Sequence, residues 1–206
     1  MSTDNLIWLL AAAAIGFATI AAVLLRRWYR LWRRPRGVVV SDTSVITNLA
    51  VIGLLGLLYD FYGTQHRALY VPLTVYREMR SRSKRNIGRP SIVTAAWIVP
   101  LPVSNTRRVR SLLRTYKKLD RGEAEAIILA DEISSELLLM DESLGRTIAT
   151  SFGLRVAGII AVLIRAKHEG RIATVRPFLD ALRGEPARFR IAQSLYEKVL
   201  RDLGER

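Results

Sequence analysis

Four acidic side chains stand where a chain of alternating strands and helices would gather them. Asp42 follows Val38-Val39-Val40-Ser41, a β-branched run that packs well on a pleat covered on both faces. Asp141 follows Leu137-Leu138-Leu139-Met140, a second apolar run of strand length. Glu123 falls in the first turn of a helix opening at Leu119-Asp120-Arg121-Gly122, and Glu78 lies one turn on from Thr74 in a helix that follows a strand. In a parallel sheet, ligands bind at the carboxyl ends of strands, which is where Asp42 and Asp141 sit. Each acid also has a plainer use: Asp42 and Asp141 as helix caps, Glu123 against a helix dipole, Glu78 on a solvated face. Ser44 can cap a helix or hold the Asp42 carboxylate. The 206 residues include no cysteine and only His66 and His168, which removes disulfides, thiolate nucleophiles and histidine-rich sites. The absence of cysteine fits a reducing compartment. Any chemistry must be carboxylate chemistry.

The elements that position these groups follow from apolar spacing. Val45, Ile46, Leu49, Ile52, Leu55 and Leu58 predict two short helices broken by Gly53 and Gly56. A strand over Ala68–Val71, closed by Pro72, leads into a helix from Thr74 through Arg80. Residues 81–91 read as a polar, basic loop, and Ala96–Val99 as a strand ending at Pro100. Val109, Leu112, Leu113 and Tyr116 give one apolar face to a basic helix ending near Lys118. After the Asp141 strand come a helix around Ile148 with Gly153 behind it, a short strand at Leu154–Val156, and a helix over Ile159–His168. Two amphipathic helices follow from Ile172, divided at Gly184-Glu185-Pro186. Strands alternating with helices predict a parallel sheet covered on both faces.

The amino end differs in kind. Leu6–Leu25 has no charge and no proline over 20 residues, the length of a bilayer-spanning helix. Arg26, Arg27, Arg30, Arg33, Arg34 and Arg36 follow, interleaved with Trp28, Tyr29 and Trp32. Aromatics at headgroup level and arginines on the cytoplasmic side predict an uncleaved single-pass anchor at 6–25, a basic juxtamembrane linker at 26–37, and a cytoplasmic domain over 38–206. A signal peptide is the competing reading, but it calls for basic residues before the apolar run, and Met1–Asn5 has none. Translation starting near Val38–Val40 would instead give an unanchored cytoplasmic domain. The net charge of +14 favours a polyanionic partner, nucleic acid or anionic lipid, over which composition does not choose.

Read in order, Val40-Ser41-Asp42-Thr43-Ser44, then Val71-Pro72 through Glu78-Met79, then Leu119 through Gly122-Glu123-Ala124, then Leu137 through Asp141-Glu142, the motifs resemble those of the PIN domain. More narrowly, they are similar to its prokaryotic branch with a Gly-Glu-Ala third motif and a fourth strand leading into Asp-x-x-x-Gly-Arg, matched here by Gly145-Arg146. Leu154–Gly158, Val175–Asp180 and Ser194–Leu200 also look like that branch. The resemblance covers residues 38 to about 203 and none of the apolar run.

The resemblance implies a three-layer α/β/α domain with a mainly parallel sheet, the strands bearing Asp42 and Asp141 being neighbours. It implies a metal-dependent nuclease, usually acting on RNA, with Asp42, Glu78, Glu123 and Asp141 as the catalytic set and Ser44 and Glu142 in support. Clustered carboxylates repel unless a cation neutralises them, and oxygen ligands without His or Cys select Mg²⁺ or Mn²⁺. Asp42, Glu123 and Asp141 would hold the ion, Glu123 directly or through water, while Glu78 orients water. Many members carry Asp at the third position and a second Asp after the fourth, whereas this chain has Glu123, and then Glu142 followed by Ser143. A single metal is therefore expected.

Between Arg67 and Arg121, 14 basic residues face only Glu78 and Asp120. Arg80, Arg82, Lys84, Arg85 and Arg89 lie in or beside one loop, and Arg107, Arg108, Arg110 and Arg114 on one helix. Both segments would flank the cleft and track an RNA (or DNA) backbone, or else lie solvated or against anionic lipid. Arg146 would contact phosphate or neutralise Glu142. A non-catalytic nucleic-acid- or partner-binding module is the alternative function. An aspartyl phosphatase is disfavoured, because no second Asp follows Asp42 two residues on. An antitoxin partner is common in the family, and a homo-oligomer is compatible with these residues.

Overall fold

Val38–Ser41 (β1), Ala68–Pro72 (β2), Ile98–Leu101 (β3), Leu137–Leu139 (β4) and Val156–Ala157 (β5) form one sheet in the order β3-β2-β1-β4-β5. Every neighbouring pair is parallel. The computed structural model describes residues 37–63, 68–84, 95–187 and 189–205. The expected anchor at 6–25, the linker up to residue 36, and Arg85 and Arg89 lie outside the described residues. Among the described residues, no helix is long and apolar enough to cross a membrane.

The helices are Thr43–Val51 (α1), Leu55–Tyr62 (α2), Leu73–Lys84 (α3), Thr106–Thr115 (α4), Arg121–Glu132 (α5), Ser143–Ser151 (α6), Ile159–His168 (α7), Arg176–Arg183 (α8) and Gln193–Asp202 (α9). Alternation along the strands divides the core into two layers, because successive side chains point to opposite faces. On β1, Val39 packs with Leu49, Leu58 and Leu163 on one face, while Val40 packs with Ile127, Ile128 and Ile148 on the other. Leu139 and Leu138 of β4 divide in the same way. Helices therefore cover both faces, the expected three layers.

Chain direction across the sheet reverses once. From β1 the chain steps out through β2 to β3, then returns to the far side of β1 to lay down β4 and β5. The reversal opens a crevice at the carboxyl ends of β1 and β4, the usual ligand position in open α/β sheets. Ser41 pairs with Leu139 in that register, and the Asp42 N–H continues the ladder with a 3.0 Å bond to the Leu139 carbonyl.

Several boundaries differ from those read in the sequence. β3 starts at Ile98 and runs through Pro100, which pairs with Val71. As an edge strand β3 bonds on one side only, so a residue without an N–H is tolerated there. β5 begins at Val156, and Leu154 is buried in the core instead. The break between the first two helices falls at residues 52–54, with Gly53 at φ 79°, while Gly56 sits within α2. α3 continues to Lys84 rather than stopping near Arg80, and α4 ends at Thr115, before Lys118. Gly153, at φ 74°, terminates α6 as expected.

Candidate active site

Asp42 leaves β1 in an extended conformation and caps α1, its Oδ1 accepting the Val45 N–H at 3.2 Å. Its other oxygen accepts the Ser44 hydroxyl at 2.8 Å. Ser44 is thus no cap; it fixes the carboxylate that is. Asp42 is only 3% exposed, yet it keeps an edge on a small cavity of about 180 Å³ shared with Ser44, Glu78, Glu123 and Glu142. Capping and ligand binding are compatible roles for it, since each carboxylate oxygen has more than one lone pair.

Asp141 leaves β4 beside it. Its Oδ1 accepts the N–H of Ile159, the first residue of α7, at 2.8 Å. Its Oδ2 is buried and has no hydrogen-bond partner among the described residues. Gly158 makes this approach possible. A Cβ there would lie 2.5 Å from Asp141 Oδ1 and 2.8 Å from Arg146 Nη1. The φ of Gly158 is −109°, which any residue adopts, so space and not backbone freedom demands glycine. Asp141 itself opens on the adjoining groove, of about 970 Å³, together with Arg146 and Ser143.

The two glutamates are held differently. Glu123 accepts the Asp120 N–H at 3.0 Å while Asp120 Oδ1 accepts the Glu123 N–H at 2.7 Å, a reciprocal capping box on α5. Glu78 accepts the Thr43 hydroxyl at 3.1 Å, linking α3 to the start of α1. Glu142 is exposed at the start of α6 with no capping bond of its own. Because Glu123 is turned onto its own helix and Glu78 toward Thr43, no three acidic or histidine side chains among the described residues converge closely enough to hold an ion as they stand.

The electrostatics nevertheless couple them. Burial pushes the Asp42 carboxyl up to about 7, against the Ser44 and Val45 bonds, and the charges of Asp141 and Glu123 push it further. Burial also raises Glu123 to about 7, opposed by the Asp120 N–H and aided by Asp120 and Glu142. Asp141 rises to about 6 through burial, with the Ile159 N–H and Arg146 holding it back and Glu142 adding to the rise. These desolvated acids, together with the orphaned Asp141 Oδ2, fit a hard divalent cation such as Mg²⁺ or Mn²⁺, which oxygen ligands select. Asp42 and Asp141 would hold it, and Glu123 would join by leaving its capping bond or through water.

The basic residues read from the sequence divide. Arg80 is exposed, its guanidinium 6.0 Å from the Tyr76 ring, and Arg107 is exposed on α4. Arg82 and Lys84 belong to the last turn of α3. Arg108 departs from the expected backbone-tracking role: it pairs with Asp131 at 2.6 Å, stacks 5.2 Å from the Phe152 ring, and so ties α4 to α5. Arg146 stands beside Asp141, and its charge holds the Asp141 carboxyl down against the effect of burial. Sequence reasoning missed Thr43, Gly158 and the group in which Glu125 accepts from Arg121, at 2.8 Å, and from the Thr74 hydroxyl. The Asp-x-x-Glu spacing at Asp120 and Glu123 did carry the capping-box signal.

A family profile for the PIN domain matches residues 38–205. Among solved structures, a PilT N-terminus domain protein from the hyperthermophilic archaeon Sulfolobus solfataricus is similar, with a TM-score of 0.45 and 14% identity over 63% of this chain and 92% of that one. No curated protein matches the sequence.

Two predictions follow from the geometry. Gly158→Ala must displace Asp141 or α7, so it should lower stability by about 1–3 kcal/mol and weaken Mn²⁺ binding by about tenfold, read by denaturant titration and calorimetry. The second concerns pH. Asp42 and Asp141 have folded-state pKa values raised above the ordinary 3.8, so the metal-free fold favours their protonated forms. That stability is present in acid and lost as pH rises through about 6 to 7. In EDTA the melting temperature should fall between pH 5 and 8, and Asp42→Asn should flatten the fall and raise the pH 8 value by about 2–6 °C. An equally steep fall in the variant would show that Asp42 is not its source.

Proposed function

Because the chain belongs to the PIN-domain family, generally a metal-dependent nuclease fold, we propose that it is a Mg²⁺- or Mn²⁺-dependent endoribonuclease tethered to a membrane by residues 6–25. One observation carries this reading. The β1–β4 ladder sets Asp42 and Asp141 at the ends of neighbouring strands where the sheet reverses direction, and burial pushes both carboxyls above the ordinary range. Asp42, Asp141 and Glu123 would hold a divalent ion, which would supply Lewis-acid stabilisation of charge at a phosphodiester. Ser44 fixes the Asp42 carboxylate, and the Ile159 N–H fixes that of Asp141. Glu78, steadied by Thr43, orients the attacking water and takes up its proton as the P–O bond to the leaving nucleoside oxygen breaks, that oxygen taking a proton from solvent. Arg146, beside Asp141, meets the phosphate as a fixed positive charge.

The engaged carboxylates of Glu123 and Glu78 favour a second reading, a non-catalytic nucleic-acid-binding module. The deciding experiment incubates the full chain with mixed RNA and DNA substrates in Mg²⁺, Mn²⁺ or EDTA. Metal-dependent RNA cleavage is expected, reduced more than about 100-fold in Asp42→Asn and Asp141→Asn with unchanged circular dichroism. Salt-sensitive binding without cleavage, indifferent to EDTA, would select the second reading. Carbonate extraction of native membranes tests the tether, which fails if the protein is recovered entirely in the wash.

A further inference from the structure

Beside the acidic cleft lies a second concavity, of about 530 Å³, bounded by the first turns of α3 and α5 and one face of α4. It falls within the size range of small-molecule sites, roughly 300–1,000 Å³. Leu73, Val103 and Leu113 provide apolar lining, and Arg77, Arg110 and Arg121 provide the charge. Arg77 immediately precedes Glu78, and Arg121 stands two residues before Glu123, so the groove and the cleft share two helices.

In the wall formed by the two shared helices, Glu125 is 8% exposed and accepts from both Arg121 Nε on α5 and Thr74 on α3, which fixes one edge of the Arg121 guanidinium. Arg121 nevertheless keeps 72% of its side chain exposed, so this pairing leaves a cation at the surface. Arg110 is exposed as well, its Nε donating 3.3 Å to the Thr106 carbonyl of its own helix. An apolar surface ringed by guanidinium groups suits a ligand with a flat apolar face and an anionic edge. Unstacked bases meet that description, since they lie against apolar and guanidinium surfaces while arginines take the phosphates.

We propose that this groove is a subsite for one unstacked nucleotide of single-stranded RNA next to the cleaved bond, with Arg77, Arg110 and Arg121 on its phosphates and Val103 and Leu113 against its base. The assignment rests on the ribonuclease reading; of its three arginines only Arg110 belongs to the two basic segments named from the sequence.

The test uses the full chain in EDTA, where binding is read without turnover, and a labelled single strand of about 12 nucleotides, within the span such grooves cover. Arg77→Ala/Arg110→Ala leaves the Glu125 contacts intact. It should weaken binding about tenfold at low salt and flatten the log–log salt slope by about 1.4, two single-strand phosphate contacts' worth. Arg155→Ala/Arg201→Ala removes the same charge from exposed positions outside the groove and should change affinity less than about twofold. A duplex of equal length should bind more weakly to the wild type. Equal losses in the two double variants, equal binding of duplex, or displacement of the RNA by a monomeric anionic phospholipid would each overturn the subsite. Groove variants that lose binding in a chain that cuts no RNA would retain the subsite and remove the nuclease reading. Undiminished binding in a chain that does cut RNA would do the reverse.

Discussion

The hydrogen-bonded ladder between β1 and β4 is what the rest of the site depends on. Backbone bonds that carry no chemistry of their own bring Ser41 opposite Leu139, and the acids follow one and two residues on, as Asp42 and Asp141. Burial raises the proton affinity of both carboxylates, and the charge of Asp141 raises that of Asp42 further. The apolar content of both strands, buried by helices on either face, is the counterweight that keeps them together. The sheet thus enforces a repulsion that a cation is suited to relieve.

Helix starts supply a partial remedy within the protein itself. Asp42 accepts from the first turn of α1, Asp141 from the first N–H of α7, and Glu123 from the residue that opens α5. The unsatisfied N–H groups at a helix start carry partial positive charge, so each acid is placed where a negative charge is best tolerated. Every one of the three pKa values still ends above the ordinary range, so desolvation outweighs these contacts. A local cap and a shared site draw on the same geometry here, which is why treating Asp42 as either one or the other misstates its position.

Much of this was legible in the residues. The apolar runs before Asp42 and Asp141 marked the two central strands, and the spacing over Ile159–His168 gave that helix its observed ends. The family resemblance, rather than periodicity, supplied the adjacency of the two acid-bearing strands. What escaped were contacts between segments distant in the chain. Nothing near Gly158 announces that a carboxylate 17 residues earlier will fill the space of its missing side chain. Nor does the sequence around Glu125 announce Thr74, which the fold brings to it from α3. Arg108 looked like one more surface cation because the groups that engage it come later in the chain, Asp131 on α5 and Phe152 just past the end of α6. Pro100 misplaced the end of a strand because edge position is a property of the finished sheet.

The β1–β4 register has a consequence for when the site comes into being. Val39 pairs with Leu137, so two segments separated by most of the domain must meet before either carboxylate has its neighbour. Parallel pairing over such a span forms slowly, because the intervening chain loses its freedom before the contacts compensate. During synthesis, Asp42 emerges early with its cap on α1, while Asp141 emerges only after α2 to α5 have been made. A growing chain therefore carries only the first of the acidic pair until β4 has been made. The arrangement that calls for a cation appears only when the sheet is nearly whole.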